Sequence, residues 1–343
     1  PSSIDGKPVV AIADYAFFGS KSITSVVVPS SVRTVGVKAF KGCSALASVT
    51  FEGTLDTLGQ AAFQDCVALA EVDVPSGIDY LWSSTFEGCT GLRRASLPEG
   101  ITAIGTSSFA NCTSLRDVNI PSTVRTVKSF AFFSCGSLAD VTLPAGLATI
   151  EQKAFKNCTS LTAVEIPSGV KMLGKAAFFN SGLVEATVPG RVAKVDDYCF
   201  QKCASLKRVT LEEGVAETGA SVWANDDALE AVLLPSTLRT LGAYAFFRCP
   251  ALSDLDGEEN AASIGEKAFK HCTSLEELTL SASVTAIPRE MCNFCTSLER
   301  VEAAGRIDSV GLSAFSHCPA LTEVTSLDDA ALAAVRSGKE WKR

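Results

Sequence analysis

Thirteen cysteines and two histidines are the residues of this 343-residue sequence that could most readily build a metal, redox or nucleophilic site. Eleven of the cysteines occupy one position of a 23-residue repeat, and we call this set the cysteine ladder. Its members are Cys43, Cys66, Cys89, Cys112, Cys135, Cys158, Cys203, Cys249, Cys272, Cys295 and Cys318. A shared position in successive repeats predicts buried, small apolar fillers. Stacked neighbours would have parallel Cβ directions, which suit disulfides poorly, so we predict mainly free thiols, with an occasional bridge as the alternative.

The remaining chemistry-bearing residues give weak signals. Cys292 and Cys295 match C-x-x-C, but Cys292 stands where the repeat has an aromatic residue, and no second pair or convergent histidines accompany them. Cys199 lies close to Cys203 without a recognisable motif. His271 and His317 are two repeats apart, about 10 Å by strand spacing, which is too far to hold one ion. The sequence therefore predicts no catalytic centre, no metal and no cofactor.

The repeat itself extends from end to end of the sequence. Its cleanest copy, from Asn157 to Phe178, reads N-C-T-S-L-T-A-V-E-I-P-S-G-V-K-M-L-G-K-A-A-F. The residue that closes each copy, called here the register residue, recurs every 23 positions, except for one step of 22. The register residues are Phe17, Phe40, Phe63, Phe86, Phe109, Phe132, Phe155, Phe178, Phe200, Trp223, Phe246, Phe269, Cys292 and Phe315. Fourteen coils over residues 1–327 leave no space for another domain, and residues 328–343 are predicted to form a short helix or tail that caps the array.

Each part of the repeat has a predicted conformation. The segment L-x-x-V-x-L alternates apolar and polar residues, which indicates a main strand with one face in the core, and the following proline ends it. The segment V-x-x-I predicts a second short strand, usually followed by a glycine such as Gly242 that eases the next turn. The segment G-x-x-A-F-x-x-C returns the chain in short helical or 3₁₀ turns. Stacked coils predict a parallel sheet with about 4.8 Å between strands, and an elongated, curved rod about 65 Å long.

This pattern resembles the BspA-like, or Treponema-type, leucine-rich-repeat proteins, because C-x-x-L, the L-P step and I-G-x-x-A-F occur together. The resemblance covers nearly the whole sequence and implies a solenoid whose main sheet lines its concave side. It also implies a non-enzymatic, cell-surface or secreted scaffold of the adhesin type, which binds host or other surface proteins. The family offers no catalytic residues to carry over.

Composition limits the partners. The net charge is −8, which argues against nucleic acid or an anionic membrane as the main partner. No apolar run is long enough for a transmembrane helix. The sequence begins with Pro rather than Met and has no signal pattern, so we expect a processed or excised fragment whose targeting information is absent.

The polar positions of the main strands are the free surface of such a fold. Among the 28 residues that flank the central residue of each strand, eleven are acidic and three are basic. The acidic ones are Glu71, Asp73, Asp117, Asp140, Glu165, Glu185, Asp254, Asp256, Glu277, Glu302 and Glu323. They fit either a merely solvated strand face or a groove that attracts a basic protein. Calcium held by stacked carboxylates is a third interpretation, although no compact oxygen-rich loop is present.

A second candidate surface follows the register residue. In four coils the next residue is also aromatic, namely Phe18, Phe133, Phe179 and Phe247. Phe133 and Phe179 are two coils apart and could form one exposed apolar patch, a common sign of an interface, or could pack between coils. The leading hypothesis is thus an extracellular or surface protein-binding module. An intracellular scaffold in a reducing compartment, which free thiols also fit, and a passive spacer rod are the alternatives.

Overall fold

The computed structural model describes residues 2–325 and 327–342, which form a parallel β-solenoid of 23-residue coils, as predicted. The chain divides into two compact units, Pro1–Gly169 and Val170–Arg343. By register residue, the first seven coils belong to unit 1 and the last seven to unit 2. Each coil contributes a short second strand, and most coils add a main strand. The predicted main strands at residues 140–142 and 163–165 are extended segments without strand pairing.

Unit 1 opens with an antiparallel hairpin and continues with parallel pairing. The hairpin strands are Ser3–Ile4 and Lys7–Pro8. The main strands are Ser25–Val28, Ser48–Phe51, Glu71–Asp73, Arg94–Ser96 and Asp117–Val118. The second strands are Ala11–Ile12, Thr34–Val35, Thr57–Leu58, Tyr80–Leu81, Ala103–Ile104, Thr126–Val127 and Thr149–Ile150.

Unit 2 repeats this arrangement and adds two helices. Its main strands are Glu185–Val188, Arg208–Leu211, Ala231–Leu233, Asp254–Asp256, Glu277–Leu280, Arg300–Ala303 and Glu323–Val324. Its second strands are Met172–Leu173, Lys194–Val195, Glu217–Thr218, Thr240–Leu241, Ser263–Ile264, Ala286–Ile287 and Ser309–Val310. A 3₁₀ helix spans Glu258–Asn260, an α-helix spans Asp329–Arg336, and a last strand spans Trp341–Lys342.

The return segments consist of consecutive turns closed by i→i+3 hydrogen bonds, such as that from the Cys43 amide to the Phe40 carbonyl. Residues with positive φ on both sides of the register residue keep these turns from joining into a helix. In the second coil they are Lys38 (φ 53°) and Gly42 (φ 74°). Their amides point along the stack and donate to carbonyls of the next coil, 2.9 Å to Gln60 and 2.7 Å to Gln64. The turns therefore add a third set of hydrogen bonds between coils, besides those of the main strands and the second strands.

The core of each unit is a column of stacked register residues. Ring centroids of Phe40 and Phe63 lie 5.2 Å apart at an interplanar angle of 4°, and Trp223 and Phe246 lie 4.9 Å apart at 7°. The cysteine ladder runs beside this column. Phe17, in the first coil, is stacked on one side only and is 41% exposed, whereas the later register residues are buried.

Glycines at the end of the second strands meet the neighbouring coil closely. A Cβ atom at Gly105 would lie 2.0 Å from the Leu81 carbonyl oxygen, and one at Gly242 would lie 2.0 Å from that of Gly219. Neither glycine has a positive φ. Close approach of two coil backbones, rather than an eased turn, is the reason for glycine at these two positions.

The main strands form several parallel sheets rather than the one long sheet that the repeat predicts. In unit 1, Ser25–Val28 pairs with Ser48–Phe51, and a separate sheet joins the strands that begin at Glu71, Arg94 and Asp117. Within this sheet, Asn119 shortens the pairing of its last two strands. Its side-chain oxygen accepts the Leu97 amide (2.7 Å) and its nitrogen donates to the Leu97 carbonyl (2.8 Å), so a side chain replaces the strand backbone there.

The predicted C-terminal helix forms and packs on the last coil of unit 2. Asp328 caps it, because its carboxylate accepts the Ala331 amide at 2.8 Å. Val335 is buried, and Arg336 near the helix end donates to the Pro319 carbonyl at 3.2 Å. The strand Trp341–Lys342 then pairs antiparallel with Ser309–Val310 and covers that edge. The sequence indicated the helix but not this strand.

Candidate functional site

The polar residues of the main strands form a face, called here the main-strand face, that is open to solvent. All eleven acidic residues predicted for it are exposed. The central residues between them, such as Val72 between Glu71 and Asp73, point into the core. Cα register places the flanking residues of adjacent strands side by side, for example Arg94 between Glu71 and Asp117. The alternation in sequence thus becomes rows of carboxylates along each unit.

Two of the three arginines on this face are engaged by the carboxylates around them. Arg94 lies 3.3 Å from Glu71 and 3.0 Å from Asp73. Arg300 lies 2.7 Å from Glu277 and 3.2 Å from Glu302, and its field also reaches Glu323. These carboxylates are neutralised locally, and solvent-exposed pairs of this kind contribute little stability.

The other carboxylates have no ion pair within 4 Å in the described part of the chain. In unit 1 these are Asp117, Asp140 and Glu165, and in unit 2 they are Glu185, Asp254, Asp256 and Glu323. Asp140 and Glu165 flank a shallow groove of about 220 Å³ with Val141 and Val164 on its floor. The negative field of the face is therefore uneven, and it is strongest where no arginine intervenes.

In unit 2 the face also carries an apolar residue. Leu233 is 46% exposed and lies in register between Thr210 and Asp256. Together with Arg208, Asp254 and Asp256 it lines a hollow of about 230 Å³. An exposed leucine among carboxylates is an unusual feature of this surface.

The second aromatic residues pack against aromatic rings or cations, and all of them except Phe18 are half-buried. The Phe133 ring lies 5.7 Å from Phe130, and the Phe247 ring lies 5.8 Å from Tyr244. The Lys202 ammonium lies 5.8 Å from the Phe179 ring, while Phe18 is 54% exposed. Phe133 belongs to unit 1 and Phe179 to unit 2, so their common patch stays a prediction.

All thirteen cysteines are free and buried, as predicted. The ladder thiols are more than apolar fillers, because they donate to the carbonyl of a register residue in the preceding coil. Cys66 donates to Phe40 at 3.2 Å and Cys135 to Phe109 at 3.1 Å. Burial raises the pKa of Cys66 and Cys158 to about 12, so these thiols are poor nucleophiles. Among the described residues no group of three or more His, Cys, Asp and Glu side chains could hold a metal ion.

The two histidines belong to a stack of three rings, which was not predicted from the sequence. Phe294 lies between their two imidazole rings, 4.7 Å from His271 and 4.0 Å from His317, and nearly parallel to both. Burial, followed by the charges of Lys270 and Arg248, lowers the pKa of His271. All three stacked residues come directly before a ladder cysteine, which is the signal that could have found the stack.

A buried carboxyl group in the tenth coil was also not predicted from the sequence. Asp226 stands where the ladder has cysteine, is fully buried, and accepts the Cys203 amide at 2.8 Å through Oδ1. Its Oδ2 and the Nε1 of buried Trp223 have no hydrogen-bond partner among the described residues. Burial raises the pKa of Asp226 well above its usual range.

Stacked 23-residue coils with parallel main strands on one face define the chain as a leucine-rich-repeat solenoid. The family model of the BspA type leucine rich repeat region, in six copies, matches residues 10–139, 125–250 and 217–331. The chain therefore belongs to the BspA type of leucine-rich-repeat proteins. Membership supports a role as a scaffold for protein interactions. A search of curated protein sequences gave no match.

Solved structures agree with this fold. A leucine-rich repeat protein from Bacteroides ovatus is 27% identical, with a TM-score of 0.84 over 95% of this chain and 86% of that one. A leucine rich cell surface protein from Faecalibacterium prausnitzii is 26% identical, with a TM-score of 0.57 over 89% and 86% of the two chains. The pneumococcal vaccine antigen PcpA, at 20% identity and a TM-score of 0.51 over 89% and 77%, shares the fold. Among residues 2–325 and 327–342, no helix has the length and apolar character needed to cross a bilayer.

Proposed function

We propose that this chain is a surface-displayed or secreted binding module of the adhesin type, which holds a protein partner against its main-strand face. The observation that carries the proposal is the set of seven exposed carboxylates on that face without an ion pair among the described residues. Unneutralised charge on a regular surface attracts partners of opposite sign and speeds their association. The partner is therefore a protein with a basic surface.

The likeness to a cell surface protein from Faecalibacterium prausnitzii supports the extracellular location. Free thiols would also suit a reducing compartment, and this favours the intracellular scaffold as the second candidate. Burial and raised pKa values leave the thiols unreactive in either compartment, so they discriminate weakly. Fractionation of the cells that produce the protein, with detection in the surface or secreted fraction, decides between the two.

The binding face is tested by partner capture from extracellular-matrix proteins and from cytosolic lysate. The test variant changes Asp117, Asp140, Glu165, Asp254 and Asp256 to Lys. A matched control changes five exposed acidic residues away from the face, Glu52, Asp79, Glu217, Glu266 and Glu340, to Lys. We expect the native chain and the control to capture the same matrix protein, and the test variant to lose it, more clearly at low salt. Equal capture by all three proteins would mean that the face is only solvated surface or that the chain is a spacer.

A further inference from the structure

We propose that a cleft in unit 2, between the main strands Asp254–Asp256 and Glu277–Leu280, binds a lysine or arginine side chain from an extended segment of the partner. This inference rests on the proposed function and gives it a location and a partner chemistry. It follows from an interruption of the sheet, the composition of the cleft and the exposed leucine beside it.

The sheet of unit 2 is interrupted at this cleft. Asp254–Asp256 is the last strand of one parallel sheet and Glu277–Leu280 is the first strand of the next. The 3₁₀ helix that starts at Glu258 separates them, and Gly257 before it has a φ of 87°. The Glu258 carboxylate Oε1 accepts the Thr279 amide at 3.0 Å, where a regular coil would use a strand carbonyl. A side chain thus bridges the two strands and the space between them stays open.

The cleft has a volume of about 340 Å³, an apolar wall and four carboxyl groups. Leu255, a central strand residue that is only half-buried, forms the wall. The carboxyl groups are those of Asp254, Glu258, Glu276 and Glu277. Glu277 is already paired with Arg300, whereas the other three have no ion pair among the described residues. An aliphatic stem along Leu255 with a cationic end at these three carboxylates matches this geometry.

Glu258 is the residue of the cleft that most favours binding of a cation. Its side chain faces the cleft, yet the residue is only 6% exposed. Oε1 holds the Thr279 amide, and Oε2 has no side-chain donor in the described part of the chain. Burial raises the pKa of Glu258, and Glu259 and Asp256 add to the rise. A carboxylate that is largely buried without a counter-charge is costly, and a bound guanidinium or ammonium group would offset that cost.

The neighbouring hollow specifies a second feature of the partner segment. It shares Asp254 with the cleft and contains the exposed Leu233. Leu233 and the cleft are one to two strand spacings apart, on the order of 5–10 Å. Side chains at positions i and i+2 of an extended peptide are about 6.8 Å apart on one face. We therefore infer an apolar residue two positions from the basic one in the bound segment.

The experiment uses the full chain and two fluorescent nine-residue peptides with blocked ends. Both contain Gly and Ser around a central Leu-Ser-Arg, and in the second the Arg is replaced by neutral citrulline. The cleft variant carries Asp254→Asn, Glu258→Gln and Glu276→Gln, where Gln keeps an oxygen for the Thr279 amide. The matched control carries Asp79→Asn, Glu217→Gln and Glu266→Gln, three charges removed from exposed positions away from the main-strand face.

We expect the arginine peptide to bind the native chain and the control within about twofold of each other, and the cleft variant at least about tenfold more weakly. The citrulline peptide should bind the native chain at least about tenfold more weakly than the arginine peptide. Equal binding to the native chain and the cleft variant, or equal binding of the two peptides, would overturn the proposal.

Failure of this proposal can be told apart from failure of the proposed function. If the cleft variant still captures the matrix protein while the five-lysine variant loses it, the face binds but the cleft does not. If the five-lysine variant captures it too, the proposed function fails. Circular dichroism checks folding, and the double variant Asp254→Asn with Glu276→Gln repeats the comparison with Glu258 intact.

Discussion

The buried carbonyl of each register residue shows why cysteine recurs in this fold. The Phe109 carbonyl accepts both the Cys112 amide and the Cys135 thiol, each at 3.1 Å. A carbonyl oxygen has two lone pairs, and a small apolar side chain with a weak donor can satisfy the second one inside a core. The thiol thus combines volume with a hydrogen bond at a fully buried position.

Cys135→Ala removes both the donor and buried volume. We expect it to lower the free energy of unfolding by about 1–3 kcal/mol. Cys135→Ser keeps a donor, and serine stands natively at the ladder position of the eighth coil, as Ser181. This change should therefore cost less than the alanine change. Urea unfolding of the three proteins checks this order, and an equal loss in both variants would mean that the hydrogen bond has no role.

Asp226 makes stability depend on pH. Because its folded pKa is raised, folding favours the protonated form. Its contribution is therefore complete below its usual pKa of about 3.9 and is lost as pH rises through the raised pKa. The groups that face it are the thiols of Cys203 and Cys249 and the neighbouring carboxylate of Asp227.

Asp226→Asn keeps an oxygen for the Cys203 amide and cannot ionise. Between pH 5 and pH 8 we expect the native chain to lose more unfolding free energy than this variant, with a difference on the order of 1–3 kcal/mol. Urea titrations followed by tryptophan fluorescence measure it. Glu217→Gln, at an exposed position of a second strand, is the control and should keep the native slope. The same slope in all three proteins would contradict a titrating Asp226.

At the scale of elements, the spacing between coils depends on glycine where two backbones meet. A Cβ at Gly242 would lie 2.0 Å from the Gly219 oxygen, so the coils must separate. We expect Gly242→Ala to lower the unfolding free energy by at least about 2 kcal/mol. The control is Gly136→Ala, whose Cβ would meet only the Thr159 hydroxyl at 3.7 Å, and whose effect should stay within about 0.5 kcal/mol. Thermal melts of the two variants and the native chain test this, and an equal melting temperature for both variants would contradict it.

The C-terminal helix stabilises the last coil through its buried side. Val335→Ala should cost about 1–2 kcal/mol and speed amide hydrogen exchange in the strand Ser309–Val310, because that edge is covered by the segment after the helix. Ala333→Ser, at an exposed helix position, serves as the control and should leave exchange unchanged. Unchanged exchange in the Val335 variant would show that the helix does not hold the tail.

The register was sufficient to predict the core and most of the strands, because every coil repeats the same packing problem. The register also predicts that Arg94 lies beside Glu71, because residues 23 positions apart become neighbours on adjacent strands. The His271–Phe294–His317 stack and Asp226 could have been read from the same register. The sheet interruption at Glu258 and the shortened strand at Asn119 could not, because these side-chain bridges depend on conformations that no periodicity encodes.

For the whole molecule, the decisive property is that burial protects every thiol. At pH 8 we expect Ellman's reagent to react slowly with the native chain. In guanidinium without a reductant, it should react promptly with all thirteen thiols. The melting temperature should be the same with and without reducing agent. Fewer than thirteen reactive thiols in guanidinium would reveal disulfides.

The cysteine ladder has a consequence for how the motions of this protein can be observed. Each ladder thiol is closed off by its own coil, so a thiol becomes reactive only when that coil opens. A brief pulse of alkylating reagent, followed by mass spectrometry of the peptides, would record how often each ladder-bearing coil opens, with no substitution in the chain. The native sequence thus contains its own set of local probes, spaced one coil apart over most of its length.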